Sequence, residues 1–266
     1  MQGRSDAVQT SLRGIANKAA SQKSYRFRNL YGMLNEEMLH DCWRDIRKDA
    51  AYGVDRVSAA QYEQNLSQNI RRLVECLKGK RYHAKLVRRQ YIPKGDGRLR
   101  PLGIPATEDK LLQLAVKRVL EAIFEPDFLR CSYGYRPNIG TLDGVHKLTV
   151  KLQFGNYHDV VEADIQGFFD NLDHQWLLKM LAQRIDDRPF LRLIHKWLKA
   201  GMLDTDGKVI HPLTGTPQGG IVSPTAKRGQ RIPALCPRSL VSQASRATLA
   251  WRSLSDPLRR RLRLRL

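Results

Sequence analysis

The sequence predicts an α/β protein of the α+β kind. Three observations carry this: apolar stripes at helical spacing before residue 80, a basic β-hairpin around Gly95, and a short apolar strand, Val160 to Ile165, followed by more helical stripes.

In chain order, residues 1–24 are polar and without sustained periodicity, which predicts a loosely ordered, flexible N-terminal arm. From Tyr25 the pattern becomes helical. Leu30, Leu34, Met38, Trp43 and Ile46 recur near the helical period, and Tyr62, Leu66, Ile70, Leu73, Val74 and Leu77 make a second stripe. Tyr52-Gly53-Val54-Asp55 is a turn-like break between them, with Ser58 placed to cap the second helix. Val87, Gln90, Tyr91 and Ile92 then suggest a strand, Lys94 to Arg98 a tight turn, and Leu99 to Ile104 the returning strand. Leu112, Val116, Val119 and Ile123 place a helix after Pro105 that ends at Pro126. Asp173 is positioned to cap a helix bearing Trp176, Leu177, Met180 and Leu181, and Pro189 opens another with Leu193, Ile194, Trp197 and Leu198. A hairpin turn at Asp206-Gly207 precedes the glycine-rich run from Thr214 to Gly220.

Composition narrows the partner. The 266 residues carry a formal charge of +20, a field that attracts polyanions and gains from release of their counterions, so nucleic acid is the expected ligand. Residues 226–266 hold ten Arg, one Lys and one Asp, a contribution of +10, so the remaining body is basic in its own right. No apolar run is long enough to span a bilayer and residues 1–17 lack the apolar centre of a secretory signal, so the expectation is a cytoplasmic protein with no membrane partner. The cysteines Cys42, Cys76, Cys131 and Cys236 lie far apart, which excludes a Cys-x-x-Cys zinc pair and predicts reduced packing residues.

Chemistry concentrates in a few blocks. Asp164 sits at the end of an apolar strand, beside a turn and the pair Phe168-Phe169, an arrangement able to hold Mg²⁺ at a sheet edge with an aromatic face beside a substrate. The same pattern also suits a cap and two core rings. Further blocks are Ile92-Pro93-Lys94 with Arg100-Pro101-Leu102-Gly103-Ile104-Pro105, then Ser132-Tyr133-Gly134-Tyr135-Arg136-Pro137, and finally Gly215-Thr216-Pro217-Gln218-Gly219-Gly220 running to Ser223-Pro224.

In this order and spacing, over about residues 25–224, the blocks resemble those of group II intron reverse transcriptases and maturases, with Tyr-Gly-Val-Asp typical of that family's N-terminal extension. The resemblance implies an RNA-directed DNA polymerase with right-hand fingers over residues 25–150 and an incomplete palm over 151–224. Its partners would be RNA, such as the intron RNA, a DNA primer or cDNA, and deoxynucleotides, with Mg²⁺ as cofactor. It implies that Asp164 is the first catalytic carboxylate and, with the Ile165 carbonyl, a metal ligand. Lys94 and Arg100 would clamp the triphosphate, Phe169 would lie beneath the sugar and disfavour a 2′-hydroxyl, and Gln218 would contact the nucleotide near its ribose. Lys85, Arg88, Arg89 and Arg98 would meet nucleic-acid backbone; Arg136 suits either that role or a palm buttress. Asp170 and Asp173 read as local caps.

After Pro224 the resemblance stops. The family continues with Leu-Leu-Ala-Asn and later Tyr-Ala-Asp-Asp, whereas residues 225–266 are Arg-rich and contain no Asp-Asp pair. The expectation is an interrupted gene read in a foreign frame beyond that point. The chain alone would then be inactive, its unpaired palm strands leaving apolar edges exposed. A catalytically dead RNA-binding fragment, or a reverse transcriptase of the retron or diversity-generating type, are the alternatives.

Overall fold

The helix that buries the most residues is the centre of the molecule. In the computed structural model, which describes residues 2–93, 95, 97, 99–134, 136–156 and 170–216, helix α5 spans Thr107–Phe124. It buries Leu111, Leu112, Leu114, Ala115, Val116, Val119, Leu120 and Ile123. A helix apolar on nearly all sides is stable only when covered on all sides. Three helices preceding it in the chain, α1 (Gln2–Ser21), α2 (Glu36–Asp45) and α3 (Ala59–Gln64), supply that cover, and α4 (Leu66–Lys78) packs on α2 and α3.

Polar residues fix the angles of this bundle. Arg118 of α5 pairs with Asp41 at 2.6 Å and Asp45 at 2.5 Å, one turn apart on α2. Asn35 caps α2 by accepting the Met38 N–H at 2.9 Å. Ser58 caps a helix as the sequence predicts, here α3, and Gln61 completes a reciprocal box with it. Burial pushes the Cys42 thiol up to about 12, so it is a packing residue and no nucleophile.

Downstream, β1 (Val87–Pro93) and β2 (Leu99–Ile104) form the expected antiparallel hairpin, paired from Arg88 with Ile104 to Pro93 with Leu99. Helix α6 (Thr141–Phe154) follows α5, and α7 (His174–Ala182) and α8 (Arg188–Leu198) form a packed pair. Asp173 caps α7 through the Trp176 N–H, and Asp187 caps α8 through Phe190 N–H. Strands β3 (Met202–Leu203) and β4 (Val209–Ile210) turn at Gly207, whose φ of +84° is one that glycine adopts freely. The sheet order is β2-β1-β3-β4, with β1 and β3 parallel.

Four expectations change. The arm of residues 1–24 is helical over Gln2–Ser21 and packs on α5, because Val8, Leu12, Ile15 and Ala19 share one stripe that polar neighbours disguise. The stripe from Leu30 to Ile46 is α-helical over Glu36–Asp45 alone, since Asn35 caps α2 from an extended backbone; Leu30 and Leu34 reach the core from the two ends of a short 3₁₀ turn, Tyr31–Met33. The second stripe is two helices, broken at Asn65 (φ −123°, ψ 38°). Helix α6 was not foreseen, and it leaves Leu142, Val145, Leu148 and Phe154 exposed. The strand Val160 to Ile165 and the Arg-rich tail lie outside the described residues.

Candidate nucleotide and nucleic-acid site

The base of the hairpin is anchored by a buried acid. Asp109, in the first turn of α5, accepts the Tyr82 hydroxyl at 2.6 Å and the Lys85 N–H at 3.1 Å. The Tyr82 oxygen in turn accepts the Trp197 indole N–H at 2.7 Å. Burial raises the Asp109 carboxyl to about 6, against the two hydrogen bonds that favour its charged form. This chain of contacts joins α5, the lead-in to β1, and α8.

Tyr52-Gly53-Val54-Asp55 completes the base. A Cβ at Gly53 would lie 2.5 Å from the Ala106 backbone, so only glycine lets the two segments touch. Asp55 receives Lys85 Nζ at 2.9 Å. Arg88 donates to the Tyr52 carbonyl at 2.9 Å and lies over its ring. Lys110 donates to the Ala51 carbonyl at 2.5 Å; burial, then the nearby Arg88, push its ammonium down to about 8.

Directly paired residues of an antiparallel ladder share a face. The register therefore places Arg89, Tyr91, Pro101 and Gly103 on one face, and Arg88, Gln90, Leu102 and Arg100 on the other. On the first face Arg89 approaches Asp204 at 3.7 Å and the Tyr91 hydroxyl donates to the same carboxylate at 3.3 Å. These contacts hold the hairpin against β3.

Beneath this face lies a pocket of about 180 Å³. Arg89, Pro101 and Gly103 come from the hairpin, Met202 from β3, Asp170 from the turn before α7, and Pro212 with residues 214–216 from the loop after β4. The last two walls are stitched together. Thr214 Oγ1 donates to the Asp170 carbonyl at 3.1 Å, and the Gly215 N–H donates to the Leu172 carbonyl at 2.8 Å. His174 Nε2 lies 2.6 Å from the Gly215 carbonyl. Asp170 directly follows Phe169, and Gly215 is three residues before Gln218, so two distant blocks meet at one pocket.

The predicted residues divide accordingly. Asp164, Ile165, Phe169, Lys94, Arg98 and Gln218 lie outside the described residues. Arg100 is exposed on β2. Lys85, Arg88 and Arg89 are near the hairpin as expected, each engaged by a protein group as given above. Arg136 is buried: its guanidinium donates to Glu125 at 2.7 Å and to the carbonyls of Leu129 and Ser132 at 3.1 and 2.9 Å, tying one loop to the end of α5. Sequence reasoning missed His174 and Asp204. A histidine directly after a cap and an aspartate before a turn carry no periodic signal. Asp186-Asp187 is no metal pair either, because Asp187 caps α8 and Asp186 pairs with Arg26 and Arg28.

Among the described residues no group of three His, Cys, Asp or Glu could hold a metal. The only described carboxylate on the pocket wall is Asp170, and one carboxylate does not hold a metal pair. No described helix is long and apolar enough to cross a membrane.

Comparison with known proteins gives the class. Residues 92–228 match the family described as reverse transcriptase (RNA-dependent DNA polymerase), so the chain belongs to that family. Within it the chain is of the group II intron type: it is 42% identical over 158 residues to the group II intron-encoded protein LtrA of Lactococcus lactis, covering 59% of this chain and 26% of LtrA. It is also 35% identical over 221 residues to protein YkfC of Escherichia coli, covering 80% of this chain and 57% of that protein. A 91 kDa protein in the cob intron of Schizosaccharomyces pombe is 30% identical over 225 residues, 84% of this chain and 28% of its own length. The chain thus spans 57% or less of these relatives. Reverse transcriptases generally use divalent metal ions and act on nucleic acid.

Proposed function

We propose that this chain forms the fingers and the first part of the palm of an RNA-directed DNA polymerase of the group II intron type, and that it binds RNA. One observation supports this best. The hairpin, the turn after Phe169 and the loop before Gln218 come from three separated blocks, yet line one pocket.

In this reading a deoxynucleotide occupies that pocket, Lys94 and Arg100 meet its triphosphate, Phe169 excludes a 2′-hydroxyl and Gln218 contacts the sugar. Arg136 buttresses the fold. Asp164 and the Ile165 carbonyl would be ligands for Mg²⁺. Polymerisation needs more carboxylates than Asp164 supplies, and residues 225–266 bring no Asp-Asp pair. Primer extension by these 266 residues is therefore expected to be undetectable, while RNA binding persists.

The test measures both on the full chain: RNA affinity across a salt series, and Mg²⁺-dependent extension of a DNA primer on an RNA template. Extension by the chain would overturn the inactive assignment, and absence of RNA binding would overturn the rest. In a longer polypeptide carrying the Asp-Asp pair, Asp164→Asn should abolish extension with RNA affinity nearly intact. Near-normal extension by that variant removes Asp164 from the chemistry.

A further inference from the structure

The loop carrying residues 212–216 has little of its own to hold it. Leu213 is 92% exposed and Thr214 is exposed, so burial does not fix their place. What fixes the loop is its attachment to the start of α7, by the Thr214 and Gly215 bonds described above and by His174. The His174 side chain is buried, at 6% exposure. A carbonyl can only accept, so Nε2 of His174 carries a proton and donates to the Gly215 oxygen at 2.6 Å. Gly215 is therefore gripped on both sides, its N–H by Leu172 and its oxygen by His174.

We propose that His174 is a positioning residue, which sets the pocket wall at Gly215 and Thr216 and through it the affinity for a deoxynucleoside triphosphate. The nucleotide part rests on the reading of this pocket given above. His174 does not line the pocket and acts through Gly215. Removing its donor leaves a carbonyl unpaired beside the pocket and frees the wall to swing outward. A glutamine can restore the bond, because its amide N–H reaches about as far as an imidazole Nε2–H.

The experiment compares the full-length parent with His174→Leu and His174→Gln. Hydrogen exchange reads the wall directly: the Gly215 amide should exchange faster in the leucine variant, with α5 unchanged and the glutamine variant close to the parent. Titration with a fluorescent dATP analogue and Mg²⁺ should show roughly tenfold weaker binding for leucine, the effect of one unmade buried hydrogen bond, and a near-parental value for glutamine. RNA affinity should not move. Unchanged Gly215 exchange, or equal acceleration in α5, overturns the positioning role. Faster local exchange with parental nucleotide affinity overturns the link from wall to ligand. A parent that binds no dATP analogue sinks the nucleotide reading of the pocket, and the exchange data then decide the positioning role by themselves.

Discussion

Single atoms account for several motif residues that the sequence marks without explaining. Gly53 is one: its missing Cβ lets Tyr-Gly-Val-Asp press on the Ala106 backbone at a distance no side chain fits. Gly53→Ala should cost at least about 2 kcal/mol, seen as a lower denaturation midpoint, because backbone is on the other side of the clash and cannot rotate away. Asp109, which belongs to no motif, carries a raised carboxyl that makes a pH prediction. The folded group at about 6 lies above the ordinary 3.8, so the protonated form favours the fold. That contribution is complete below about pH 4 and is lost as pH rises through about 6. Asp109→Asn should remove this part of the slope: the change in melting temperature between pH 4.5 and 7 ought to differ from the parent's, and identical slopes would remove Asp109 as the titrating group.

Elements are joined by a few long-range polar contacts whose loss should be local. Arg184, just past α7, donates to the carbonyls of Ala19 and Gln22 at 3.0 and 2.9 Å and to that of Lys23, and pairs with Asp127 at 3.1 Å. It closes the C-terminal end of α1, where backbone carbonyls lack helical partners. Arg184→Met should loosen α1 by about 2 kcal/mol or more, since it leaves several carbonyls unpaired at once. Limited trypsin digestion would read this as early cleavage at Arg13 or Lys18 while α5 stays protected; a parental digestion pattern would show that apolar packing of Val8 and Ala19 suffices. The hairpin shows the reverse economy. Lys85, Arg88 and Arg89 at its base are fixed by Asp55, Tyr52 and Asp204, so the charge there arrives in set positions.

Across the whole molecule, half of the +20 charge lies in the body and half in residues 226–266. RNA binding should weaken steeply with salt, each neutralised phosphate adding roughly 0.7 to 0.9 to the slope of log affinity against log salt. A variant ending at Pro224 separates the two sources. Retained affinity supports the fingers as the binding surface, and complete loss assigns the binding to the Arg-rich segment. The sequence by itself determined the hairpin, α5, the caps at Ser58 and Asp173, and the family. Each of these is written in contiguous residues, as an alternation, a helical stripe, a side chain placed to bond its own backbone, or a run of motif letters. It did not determine α1, whose apolar stripe is sparse and whose stability comes from α5 and Arg184, about a hundred or more residues away. Nor could it place His174 on Gly215, Asp204 beside Arg89, or Asp109 under Tyr82 and Trp197. Those contacts join polar residues that have no period and no proximity along the chain, and only the tertiary structure, through helix packing on α5 and the pairing of β1 with β3, brings them together.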